Sequence, residues 1–196
     1  MKKYLILTSG LLLCLVIHAQ KAAFGLKAGV NFSNIWIENN NSSEYKTGIH
    51  AGGLAHIHLS PKWAMQPELL FSTAGGKRTT ANVETKTTLS YINFPVLVQY
   101  MFSNGFRLQG GPQLGFLVDA QSETGSAETD VQNSYKSIDV SFPIGFGYLT
   151  SSSIGFDARW VPGLSDINES GLATGNNVFQ LGLFYQFGHK GQKHKN

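Results

Sequence analysis

Cysteine is nearly absent: the one in the chain, Cys14, lies inside the apolar run near the N-terminus. Leu13 precedes it, where a lipoprotein site would want a small residue, so Cys14 reads as filler. Beyond it, disulfides, thiolate catalysis and Cys-based metal sites are excluded together. Long apolar runs are lacking too. Leu5 to Ile17 is too short for a comfortable membrane-spanning helix, and no later segment supplies one. Charged residues make up only 14% of the chain, against about a quarter on average. No window carries a helical stripe. There is no Gly-x-Ser-x-Gly elbow, phosphate loop or dinucleotide fingerprint, so the common nucleophile and nucleotide chemistries have no footing.

The first 19 residues read as a secretory signal. Lys2 and Lys3 give a positive start, the apolar core follows, and Ala19 offers a small residue for cleavage before Gln20 or Lys21. The expected mature domain is 20–188, followed by a basic tail, 189–196, with Lys190, Lys193 and Lys195. That tail reads as a solvated periplasmic end. Removing Lys2 and Lys3 leaves 13 basic against 12 acidic residues, a net charge of +1. So even a balance gives no sign of a nucleic-acid partner.

Period-two alternation recurs along the whole mature chain and marks about eight strands. They lie near Phe24–Phe32, Thr47–Leu59, Lys62–Thr73, Leu89–Met101, Phe106–Ala120, Ser137–Leu149, Ser153–Val161 and Asn177–Phe187. Lys27, Glu68, Arg107, Asp119, Asp139, Asp157 and Arg159 all have the parity opposite to the aromatic face. In a membrane barrel the charged parity lines the lumen and the aromatic parity meets lipid; in a soluble barrel the faces exchange roles.

Connection lengths separate the two cases. Ser33–Lys46, Ala74–Thr88, Gln121–Lys136 and Gly163–Asn176 are long and polar. They alternate with short links at Ser60-Pro61, Phe102–Gly105 and Thr150–Ser152. Short periplasmic turns and long external loops are the habit of outer-membrane barrels. The expectation is therefore all-β: a single closed antiparallel up-and-down β-barrel of about eight strands, transmembrane. Trp63, Tyr100, Phe106 and Tyr148 beside the short turns, with Tyr91 and Trp160 toward the long loops, fit two interfacial girdles. Pro67, Pro95, Pro112 and Pro143 fall within strands, and each should mark a bulge or a locally unpaired position.

Several stretches resemble a known family. These are Gly25 to Asn31 (Gly-Leu-Lys-Ala-Gly-Val-Asn), Gln66 to Ser72 with Gly75-Gly76-Lys77, Leu89 to Tyr100, and Gly110-Gly111-Pro112-Gln113-Leu114-Gly115. In this order and spacing the chain resembles the Bacteroidetes outer-membrane β-barrel proteins of the PorT-like type, over nearly all of its mature length. The resemblance implies a barrel of modest size in the outer membrane of a Gram-negative bacterium. It implies no shared catalytic residues. The founding member is associated with type IX secretion, but the resemblance does not make this chain that component.

Two constellations bear on chemistry. His50, His56 and His58 share one strand face, and His56 and His58, two apart, could share Zn²⁺ or Ni²⁺ with Glu68. The competing reading, a hydrated lumen wall, is preferred, so no metal or other cofactor is expected. Lys27, Glu68, Arg107, Asp139, Asp157 and Arg159 are expected to pair inside a filled lumen, because an isolated buried charge is costly. A catalytic Asp139–Asp157 dyad is the disfavoured alternative.

The function expected is non-enzymatic: structural, adhesive or accessory to secretion. The partners are outer-membrane lipid, the barrel-assembly machinery during biogenesis, and envelope or secretion proteins met through the external loops. Two alternatives are a soluble periplasmic lipocalin-like barrel binding a small apolar ligand, and an outer-membrane lipid-modifying enzyme.

Overall fold

Alternating sequence folds as strands whose two faces meet different surroundings. The computed structural model describes residues 22–38, 42–169 and 173–187. It contains eleven strands: β1 Ala22–Ile37, β2 Lys46–His58, β3 Trp63–Thr80, β4 Val83–Met101, β5 Phe106–Gly110, β6 Gln113–Thr124, β7 Ala127–Asp130, β8 Ile138–Ser141, β9 Ile144–Leu149, β10 Ile154–Pro162 and β11 Thr174–Gln186. The signal and tail read from the sequence lie outside the described residues.

The strands form a closed antiparallel ring. At the short-turn end its order is β1, β2, β3, β4, β5, β9, β10 and β11, with β11 paired back to β1. Toward the other end β6 takes over from β5 against β4, and β8 from β9 against β6. The barrel thus has eight staves, two of them interrupted. The interruptions fall at Gly111-Pro112 and Phe142-Pro143, where proline cannot donate to the ladder. Pro67 and Pro95 instead coincide with gaps in otherwise unshifted ladders: β2–β3 pairing skips from Leu54–Glu68 to Ile57–Met65, and β3–β4 pairing from Pro67–Val96 to Leu70–Asn93. All four prolines therefore sit where the sequence placed a break in pairing.

Apolar side chains face outward along every stave. On β11, Leu183 and Tyr185 are about half exposed, while Phe184 between them is 4% exposed. Among the described residues no helix is long and apolar enough to cross a membrane; any crossing is made by strands.

The long connections differ from the loops expected. β3 and β4 run for 18 and 19 residues, where crossing a membrane takes about 9–11. They continue, paired, to a two-residue turn at Ala81-Asn82, both with positive φ, as tight hairpin turns require. Ala74–Thr88 is thus a projecting hairpin, not a loop. β6 and β7 likewise pair from Gln121–Asp130 to Thr124–Ala127. Threonine-rich, alternating polar sequence looks like loop when only the apolar pattern is read.

Candidate functional site

The interior is layered. Its middle is an ionic quartet drawn from staves far apart in sequence. Arg159 on β10 forks onto Glu68 on β3, with Nη1 to Oε2 at 2.7 Å and Nη2 to Oε1 at 2.6 Å. The same guanidinium reaches Asp157 at 3.1 Å, and Asp157 accepts from the Lys27 ammonium on β1. Gln66 donates to Glu68 at 2.7 Å. Two cations and two anions cancel, and the fork satisfies both carboxylate oxygens of Glu68. Gly182 makes room for the quartet: a Cβ there would stand 2.7 Å from Asp157 Oδ1 and 2.8 Å from Lys27 Cε.

Arg107 sits beside the quartet, toward the short turns. It donates to Gln99 at 3.3 Å, and its guanidinium carbon lies 5.5 Å from the Phe184 ring centroid. Asp139 is not part of the quartet. It accepts from Ser165 at 3.0 Å and from Asn176 at 2.9 Å, and Asn176 also donates to the Tyr91 hydroxyl at 3.1 Å. Asp139 and Asp157 therefore take different partners, contrary to a paired-carboxylate dyad.

The histidines are dispersed as well. His50 meets Asn31 at 2.7 Å, while His56 meets Gln66 at 3.3 Å. His56 and His58 stack edge-to-face with ring centroids 4.7 Å apart. Among the described residues no three His, Cys, Asp or Glu side chains gather as metal ligands.

Two apolar layers bracket the charges, and the sequence did not point to them. Leu54, Leu149 and Phe184 form a buried cluster toward the short turns. Toward the hairpins, Ile35, Leu89, Tyr91, Leu117, Val161, Ile167 and Val178 pack with Ala74 and Ala120. Tyr91, expected in an interfacial girdle, is one of them and is 2% exposed. Along β4 it shares the inward parity of Asn93, Leu97 and Gln99, all of them buried. On the facing strand β6, a bulge adds Val118 between Leu117, paired with Tyr91, and Asp119, paired with Ser90, and one extra residue moves the following side chains to the other face. The same shift leaves Asp119 only half-buried and turns Ala120 inward. Leu54 and Phe184 had the polar parity all along; the signal for a capped lumen was an apolar residue in each polar row.

The other aromatics of the expected girdles lie on the outer wall. Trp63, Tyr100, Phe102, Phe106 and Phe146 form a chain of ring contacts around the short-turn end, with centroids 5.0–6.0 Å apart. Tyr148 is outward beside them. Trp160 faces outward farther up, stacked on Phe179.

Comparison with known proteins agrees with this geometry. No curated protein sequence matches the chain. Among solved structures, Neisserial surface protein A (NspA) superposes with a TM-score of 0.62 at 13% identity, over 85% of this chain and 99% of that one. Ail, the attachment invasion locus protein of Yersinia pestis, gives 0.53 at 13% identity over the same shares. A second Ail structure, in complex with the heparin analogue sucrose octasulfate, also gives 0.53. At these identities the likeness is one of fold. The family profile described as outer membrane protein beta-barrel domain matches residues 18–169, and the chain belongs to that outer-membrane family.

Proposed function

We propose that this protein is a closed, non-conducting and non-enzymatic barrel that works through its long-hairpin end, held outside the cell. The observation carrying this reading is the layered interior: a neutral ionic quartet between two apolar clusters. A lumen cavity beside Asp139 and Asn176 measures only about 20 Å³, room for about one water. The buried carboxylates Glu68 and Asp157 are committed to ion pairs, which leaves them poorly placed for acid–base work.

What remains to meet a partner is the projecting β3–β4 hairpin, with Lys77, Arg78, Glu84 and Lys86, and the β6–β7 hairpin beside it. That surface suits a structural, adhesive or secretion-accessory role. The motifs shared with PorT-like proteins support a Bacteroidetes origin, and the N-terminal pattern supports export through a cleaved signal. Planar-bilayer recording tests the closed lumen. No stable conductance is expected from the purified barrel, and a large steady one would refute the reading.

A further inference from the structure

The buried charges of the lumen are not all paired. The buried cations are Lys27, Lys46, Arg107 and Arg159 and the buried anions Glu68, Asp139 and Asp157, four against three. Arg107 lies at the second position of β5, beside the short turns, and stacks over Phe184. Asp139 lies at the second position of β8, in the hairpin half. The quartet is neutral by itself, so Asp139 is a buried carboxylate, 7% exposed, held only by the neutral donors Ser165 and Asn176.

A second observation points to a ligand. Asn176 is 3% exposed; its amide nitrogen serves Tyr91 and Asp139, while its Oδ1 is buried with no hydrogen-bond partner among the described residues. Asn176 and Asp139 both line the cavity of about 20 Å³, together with Asn93, Gln113 and Ser141. The space is partly kept open by Gly115, where a Cβ would come within 2.6 Å of Asn93 Oδ1.

We propose that this chamber binds one alkali cation, sodium by size, between Asp139 and Asn176 Oδ1. Hard cations take oxygen ligands from carboxylates, amide carbonyls and hydroxyls, and the lining offers all three. One carboxylate calls for one positive charge. A divalent ion would leave an excess charge buried, which is costly. No trio of His, Cys, Asp or Glu gathers among the described residues, so transition-metal chemistry is not offered here. The volume admits one ion in place of one water. The ion would neutralise Asp139 and satisfy the orphaned amide oxygen together, which neither a second hydrogen-bond donor nor an apolar side chain could do.

The test uses the whole barrel refolded into lipid vesicles. Urea-driven unfolding is followed in sodium chloride and in choline chloride at equal ionic strength. Choline is too large for the chamber. Sodium is expected to slow unfolding at least ~3-fold, because a ligand bound only by the native state adds to its stability. Asp139→Asn keeps the shape and should abolish the difference. Equal rates in the two salts, or a sodium effect that survives in Asp139→Asn, would overturn the proposal. Should that variant fail to fold, crystals of the parent protein soaked in a thallium(I) salt decide. An anomalous peak within coordinating reach of Asp139 and Asn176 Oδ1 is expected. A chamber without it, holding water against a protonated Asp139, is the refuting result. Neither readout depends on whether the lumen conducts.

Discussion

Replacing Glu68 with glutamine tests the quartet directly, because it removes one charge and almost no volume. The side chains of Lys27, Asp157, Arg159 and Glu68 are 0–2% exposed, so solvent cannot screen the loss. Glu68→Gln leaves two cations against one anion, and turns an amide N–H toward a guanidinium that had been forked onto two oxygens. Breaking a buried pair from one side costs about 3–5 kcal/mol. Arg159→Met has the opposite error, two anions against Lys27, and a similar cost is expected. The double variant Glu68→Gln/Arg159→Met restores neutrality, since Lys27 and Asp157 remain paired. It should therefore be clearly more stable than the sum of the two single losses, by about 2 kcal/mol or more, as close partners in such cycles are. Urea unfolding from lipid vesicles, read by tryptophan fluorescence and by heat-dependent mobility on gels, gives all four corners. A single variant within about 1 kcal/mol of the parent, or strictly additive losses, would refute the assignment of the quartet as one electrostatic unit.

Neighbouring glycines on β2 should behave oppositely. A Cβ at Gly52 would stand 1.9 Å from the Leu69 carbonyl oxygen, whereas one at Gly53 meets nothing nearer than 3.8 Å. Gly52→Ala is expected to cost about 1–3 kcal/mol in the same unfolding assay and Gly53→Ala close to nothing, as overpacking dictates. Equal costs would contradict the register. Asp166, in the connection between β10 and β11, accepts from Lys136 of the β7–β8 connection at 2.8 Å and from the backbone N–H groups of Asn168 and Thr174. The Lys136 hydrogen bond first, then the two N–H groups, hold the Asp166 carboxyl down to about 2. Its folded value lies below its unfolded one, so the ordering it confers is complete above the usual carboxylate range, near pH 4, and fades as pH falls toward 2. Amide signals of Asn168 and Thr174 should lose dispersion over that window and not between pH 5 and 8. Change confined to the higher window would contradict the assignment.

Much of the barrel was legible because period two is a strong signal and one slipped residue would expose a whole face. Lys27, Glu68, Arg107, Asp139, Asp157 and Arg159 all turned out to be buried, as their parity indicated. Which of them pair was not legible. Lys27 finds Asp157 across 130 residues, a contact set by ring closure and not by any local spacing. Tyr91 is buried because it shares the inward parity of Asn93, Leu97 and Gln99, which the nearly continuous apolar run of β4 hides; the bulge at Val118 on β6, which no proline or glycine announces, displaces Asp119 and Ala120 instead. The apolar caps were missed at Leu54 and Phe184 because a single leucine or phenylalanine in a polar row reads as noise until its neighbours across the barrel are known. The hairpin through Ala81-Asn82 is not legible because its paired strands have no apolar face to repeat.

The quartet also bears on how the barrel comes together. Lys27 belongs to the first stave, Glu68 to the third, and Asp157 and Arg159 to the seventh. Without the seventh stave, the Lys27 ammonium lacks its ion-pair partner Asp157, and the Glu68 carboxylate lacks the Arg159 fork and keeps only Gln66. β10 supplies both partners, and β11 beside it closes the ring against β1. The ion pairs of the finished lumen thus tie the first and third staves to the seventh.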